Sequence, residues 1–206
     1  LYLGLDLEWF PRKEKCLHYP VIRTEKMQSD ALQKAFLLWA EFTHVIFTSK
    51  MAVRYWEDKC PWLGKTVIAI GESTGKELQE RGVRPFVAKV ETQEGVLSLL
   101  DEMDLRSAYL FLPRSKRSRP VLTQYLEDKQ IRYFALDLYD TVFQKIDPPP
   151  LLDEIDEIVF TSPSTVDAFL QIYGSLPKGK KLTTIGPITQ RRVEENVEAH
   201  HTGWGV

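Results

Sequence analysis

Short, almost uninterrupted apolar runs alternate along the chain with longer stretches whose apolar positions recur every three or four residues. The runs are Leu1–Leu5, Val45–Thr48, Thr66–Ile70, Ala108–Leu112, Tyr133–Leu138, Ile158–Thr161 and Leu182–Ile185. They are rich in Val, Ile, Leu and aromatic residues with little polar alternation, the pattern of strands covered on both faces. Helices are predicted over Ser29–Glu41, Met51–Trp56, Ser73–Arg81, Gly95–Met103, Arg119–Lys129, Ser164–Tyr173 and Thr189–Glu198. The first of them opens behind a Ser-Asp start signal and keeps an apolar face at helical spacing. Strand and helix in alternation imply parallel sheets covered by helices, the α/β class.

The pattern also repeats. The segment from His44 to Trp56 aligns with Glu157 to Phe169, and Lys65–Thr74 aligns with Lys180–Thr189. Both copies read strand, Thr-Ser, helix, then strand, Gly-x-x-Thr, helix, in the same order. Two similar α/β lobes are the simplest account. The second copy starts just beyond Asp147-Pro-Pro-Pro150, a strong breaker, and is too short to build a sheet alone, so it is expected to recruit the opening strand. The expected architecture is α/β, with two similar parallel-sheet lobes. A discontinuous terminal lobe (1–20 plus 143–206) and an inserted lobe (25–136) are joined by a two-stranded linker (21–24 and 137–142), with a cleft between the lobes.

Composition narrows the function classes. With 27 Lys and Arg against 29 Asp and Glu, the chain lacks the basic excess of a general nucleic-acid binder. Its longest apolar run, Ala35–Ala40, falls far short of the roughly 18–20 residues that span a bilayer. The apolar start runs into Asp6 and Glu8 without a secretory cleavage pattern. Two cysteines, Cys16 and Cys60, cannot make a disulfide framework or a thiolate metal site, so a reducing, cytoplasmic setting is expected. His18, His44, His200 and His201 lack metal-ligand spacing, and the last two read as a surface tail.

Candidate chemistry sits where strands pass into helices. Thr48-Ser49 and Thr161-Ser162 occupy such junctions, as do Gly71–Thr74 and Gly186–Thr189. Helix N-termini there offer free N–H groups to a carboxylate or phosphate; equally, the hydroxyls can be simple N-caps. Neither a P-loop nor a GxGxxG fingerprint is present. The segment Pro113-Arg-Ser-Lys-Arg-Ser-Arg119 follows the strand Ala108–Leu112 and reads either as an anion-binding field or as a solvated loop. Tyr139, in the predicted crossing strand, could present a phenol to the cleft or simply pack.

Taken together, Phe47-Thr48-Ser49, Phe160-Thr-Ser-Pro-Ser164, the Ile-Gly-x-x-Thr turns at 70–74 and 185–189, Arg114 to Arg119 ahead of Val121-Leu122, and Leu138-Tyr-Asp-Thr141 resemble the uroporphyrinogen-III synthase family. The resemblance covers most of residues 19–198. It implies two lobes joined by a two-stranded ladder and an activity on hydroxymethylbilane, a linear tetrapyrrole with eight carboxylates. The macrocycle is closed with loss of water and inversion of ring D, through a spiro intermediate and without a cofactor. The resemblance further implies that Tyr139 assists departure of the hydroxyl. Thr48, Ser49, Ser162, Ser164, Gly186 and Thr189 would bind acetate and propionate arms, as would Arg114 and Arg119. A cytoplasmic monomer without membrane or nucleic-acid partners is expected. The sequence departs from the family at Ile188, which stands in a Thr position, and in a shorter start and tail. A two-lobed module that binds a tetrapyrrole or other polyanion without cyclising it is the alternative reading.

Overall fold

The computed structural model describes residues 1–7, 10–56 and 60–199. His200 and His201 lie outside them. The chain divides into two compact units, Thr24–Asp140 and Leu1–Arg23 with Thr141–Val206.

In the first unit, β1 (Ile22–Lys26), β2 (His44–Phe47), β3 (Thr66–Ala69), β4 (Phe86–Val87), β5 (Tyr109–Ser115) and β6 (Arg132–Phe143) form one sheet in the order β1-β6-β5-β2-β3-β4. The pairs from β6 to β4 are parallel. β1 runs antiparallel to β6, with Met27 N donating to Leu138 O and Gln144 N to Val21 O. The boundary between the two units falls inside these two strands. The helices are α1 (Asp30–Leu37), α2 (Lys50–Tyr55), α3 (Glu72–Glu80), α4 (Gln93–Asp101) and α5 (Val121–Asp128).

Successive residues of the central strands feed opposite cores, because side chains alternate across a sheet. Val45 and Phe47 of β2 join Leu32, Ala35, Ala52, Val53 and Leu78 from α1, α2 and α3. Ile46 joins Val96, Leu100, Leu122 and Leu126 from α4 and α5. This two-sided burial is why the strands read as continuous apolar runs. On the first face Trp39 stacks on Trp56 at 5.2 Å and meets Phe111 edge-on.

The other unit is built on β7 (Glu157–Phe160) and β8 (Lys181–Thr184), a parallel pair, with α6 (Pro163–Tyr173) and α7 (Pro187–Ala199). The start of the chain extends it: Val159 N donates to Leu1 O at 2.8 Å, and Tyr2 N donates to Leu17 O at 2.9 Å. Of the run Leu1–Leu5 only Tyr2 makes ladder bridges, to His18 and Val159, before the chain bends. Leu3, Val21, Ile158, Phe160, Val166 and Phe169 form the core of this unit.

Two strands outrun their sequence-based limits. Pro113 reads as a strand end, yet β5 continues through it to Ser115. β2 pairs with β5 only at Leu110 and Phe111, so the missing N–H of Pro113 leaves no gap on that side. β6 continues to Phe143 because β1 covers its far half. The predicted helix at Arg119 begins instead at Val121, behind Pro120. β4 has no forerunner in the sequence pattern, since its Phe86 is exposed and only two residues pair.

Candidate active site

The first group of candidates lies at the carboxyl edge of the six-stranded sheet, where open α/β sheets leave room for ligands. Ser49 has extended backbone and caps α2, its Oγ accepting from Ala52 N at 3.0 Å. The same oxygen lies 2.8 Å from Tyr139 Oη. Tyr139 is buried on β6, its ring 5.6 Å from that of Tyr55. The Tyr55 hydroxyl donates to Thr24 O at 2.7 Å. Thr48 adjoins Ser49 at the half-buried turn between β2 and α2.

A register shift in β5 shapes the neighbouring part. Arg114 stands opposite Asp137 and Ser115 opposite Tyr139, so Leu138 is skipped. A bulge of this kind lets two consecutive side chains face one way, and here Leu138 and Tyr139 of β6 both join the α1–α3 core. Arg114 reaches Asp137 on the opposite face, Nε to Oδ1 at 2.9 Å, while Ser115 hydrogen-bonds the Tyr139 phenol. Burial pushes the Tyr139 phenol above its ordinary value, and the hydrogen bonds with Ser49 and Ser115 partly offset this. The phenol is therefore protonated at neutral pH, in the state that can give a proton.

The basic segment is more neutral than its sequence suggests. Arg119 makes a two-pronged ion pair with Glu94, at 2.8 and 2.9 Å, and turns towards α4. Arg117 pairs with Asp140 at 3.0 Å. Gln93 accepts from Leu122 N at 3.2 Å and donates to Ser118 Oγ at 3.3 Å, so the first turn of α4 fixes the loop ahead of α5. Of the two arginines singled out by sequence, Arg114 pairs with Asp137 on the face of the sheet opposite Tyr139, and Arg119 is committed to α4.

The turn at Gly71–Thr74 is already filled. Glu91 accepts from Glu72 N at 2.7 Å, placing an internal carboxylate on the N-terminus of α3. A Cβ on Gly71 would collide with that side chain.

In the other unit, Ser162 lies in the turn from β7 to α6 and Ser164 in the first turn of that helix, while Gly186 lies in the turn from β8 to α7 and Thr189 in the first turn of α7. Gly186 has a φ of +86°, which a side chain would strain, and Thr189 is buried. Ile185 and Ile188 beside it are half-exposed. Thr165 takes over the capping of α6: its hydroxyl donates to Ser162 O at 2.7 Å and accepts from Ser162 N and Thr161 N. The Ser162 Oγ, although shielded from solvent, has no hydrogen-bond partner among the described residues. The repeat equivalent of Thr165 is Ala52, which cannot do this, so Ser49 caps with its own hydroxyl.

Ser115, Tyr55, Glu91 and Glu94 escaped the sequence reading. Ser115 had a signal, as a small hydroxyl residue within the basic run; the others are revealed only by register and folding. Among the described residues no group of three or more His, Cys, Asp or Glu is placed to hold a metal ion. None of the described helices is long and apolar enough to cross a membrane.

Comparison with known proteins adds the family context. The sequence model described as "Uroporphyrinogen-III synthase HemD" matches residues 12–201. A relative from Methanothermobacter thermautotrophicus, named "Putative uroporphyrinogen-III synthase", is 29% identical over 203 residues, covering 88% of this chain and 80% of its own. The fold is similar to that of uroporphyrinogen-III synthetase from Helicobacter pylori, with a TM-score of 0.64 at 20% identity over 86% of this chain and 81% of the other. It is also similar to a mutant uroporphyrinogen III synthase from Thermus thermophilus, with a TM-score of 0.61 at 18% identity over 87% and 79%.

Proposed function

The chain belongs to the uroporphyrinogen-III synthase HemD family, and on that premise we propose how its residues divide the work. The reaction is the cyclisation of hydroxymethylbilane to uroporphyrinogen III, a hydro-lyase step that removes water and inverts ring D. The electron push comes from the pyrrole nitrogens. The hydroxyl on ring A leaves, the substituted carbon of ring D attacks, and the spiro intermediate fragments and recloses the other way round.

The protein's task in this reading is chiefly geometric. Holding the reacting ends of a flexible chain in one arrangement is worth about 7–11 kcal/mol in favourable cases. Tyr139 gives its phenolic proton to the departing hydroxyl, which then leaves as water. Thr48, Ser162, Ser164 and Thr189, with the N–H groups around Gly186, receive carboxylate arms of the substrate. Arg114, steadied by Asp137 through Nε, offers the rest of its fork to another. Arg119 acts at one remove, holding the loop against α4. The single observation carrying this reading is the buried, protonated phenol of Tyr139 set among serine hydroxyls at the sheet's carboxyl edge. We further propose a cytoplasmic setting and a monomer; light scattering in solution checks the second.

The test is product analysis. Freshly prepared hydroxymethylbilane is supplied, and the oxidised porphyrins are separated by isomer. Type III in excess over the protein-free control is the expected result. Type I alone, at the spontaneous rate and from folded protein, would overturn the reading.

A further inference from the structure

Two serines from different elements converge on one phenol oxygen, and their remaining bonds fix which way the protons run. Ser49 Oγ accepts from Ala52 N at 3.0 Å. Ser115 Oγ accepts from Arg117 N at 3.2 Å. A hydroxyl has one proton to give and two lone pairs to receive with. Each serine therefore has an acceptor site occupied by the backbone, and its own proton still needs a partner. The phenol has a single proton, so it can donate to at most one of the two; at least one serine must donate to it. Accepting an N–H bond polarises a hydroxyl and makes its proton a better donor, and both serines share that condition.

We propose that Ser49 and Ser115 are positioning residues that both donate to Tyr139 Oη, leaving the phenol's own proton directed at the ligand. The proposal rests on the reading of Tyr139 as proton donor. It assigns a purpose to Ser115 and to the bulge that brings it opposite Tyr139. The atoms balance: the phenol O–H bond breaks, its proton joins the departing hydroxyl, and water leaves. The phenolate left behind keeps two serine protons on its oxygen. A proton returns to it when the terminal carbon of ring D gives up its hydrogen, so the net loss is one water.

The direction of donation has a sign that can be read directly. 3-Fluorotyrosine incorporated at Tyr139 reports its ionisation through the fluorine chemical shift. In Ser49→Ala and in Ser115→Ala the phenol is expected to become a weaker acid, by about tenfold for each donor removed. Ser115→Thr keeps the hydroxyl and is expected to restore the original titration. A stronger acid in either variant would mean that Tyr139 had been donating to that serine, and would overturn the proposal; so would an unchanged titration in both. Should Ser49→Ala fail to fold for want of its cap, Ser115→Ala, which removes no cap, decides alone. In turnover, both variants are expected to lower kcat and leave KM in place. If Tyr139→Phe kept full type III turnover while the serine variants still weakened the acid, the proton-donor reading would fall and the donation geometry would stand.

Discussion

The phenol oxygen of Tyr139 lies 2.8 Å from the hydroxyl of Ser49, although 90 residues separate them. The contact joins β6 to the first turn of α2, and it is the residue capping that turn that touches the phenol. A helix cap and a candidate proton donor thus share one oxygen, so the capping geometry and the orientation of the phenol are coupled.

Removing the phenol oxygen alone isolates its chemistry. Tyr139→Phe keeps the buried ring and is expected to cost stability by about 1 kcal/mol, the size of one hydrogen bond. Type III formation is expected to fall by about 100-fold or more, the range of a general acid. Urea unfolding checks the first figure and isomer-resolved product rates the second.

The repeated serines are expected to respond differently to the same change. Ser49→Ala loses a cap and should destabilise the protein by about 1 kcal/mol. Ser162→Ala loses a hydroxyl that makes no bond among the described residues, because Thr165 caps α6, and should leave stability within about 0.5 kcal/mol. Thermal melts of the two variants, run side by side, check the contrast. Under the proposed function, Ser162→Ala should still raise KM.

Arg119, ahead of its other contacts, holds the Glu94 carboxyl down to about 2. An unfolded Glu ionises near 4.3. The lowered value means that the pair's contribution is complete above the unfolded value and disappears as pH falls through about 2. The stability difference between the native protein and Glu94→Gln should therefore be constant above about pH 5 and shrink between pH 4 and 2. Both side chains are about half-exposed, so the difference is expected to be small and to diminish in high salt.

Gly95→Ala sets two effects against each other. Alanine favours a helix over glycine by about 1 kcal/mol. At this position its Cβ would fall onto the carbonyl oxygen of Val90, a backbone atom that cannot rotate aside. Overpacking of this kind costs about 1–3 kcal/mol, so net destabilisation is expected, read as a lower urea midpoint.

Much of the fold was legible because two-sided burial writes itself into sequence: Val45, Ile46 and Phe47 are all apolar, and the structure sends alternate members to opposite cores. The repeat likewise pointed to both Thr-Ser turns, and Ser49 and Ser162 do stand at helix starts. What sequence could not show depends on partners brought from elsewhere. Pro113 looked like a stop because whether a strand needs its N–H depends on the neighbouring strand. Gly71 looked as open as Gly186 because nothing local announces that Glu91 will fold onto α3. The run from Arg114 to Arg119 looked like free positive charge because its carboxylates, Asp137, Asp140 and Glu94, arrive from β6 and α4.

The register with β6 makes β5 intolerant of changes in length. Arg114 and Ser115 alternate to opposite faces, and the extra residue on β6 at Leu138 is what brings Tyr139 round to the side of Ser115. Deleting one residue from Tyr109–Arg114 would turn Ser115 over and part it from the phenol. The exposed connection before β5, around Asp104 and Arg106, carries no such phase relation and can lengthen or shorten freely. Insertions and deletions that are silent at one end of this strand would thus be costly a few residues along it, even where no side chain at the site is changed.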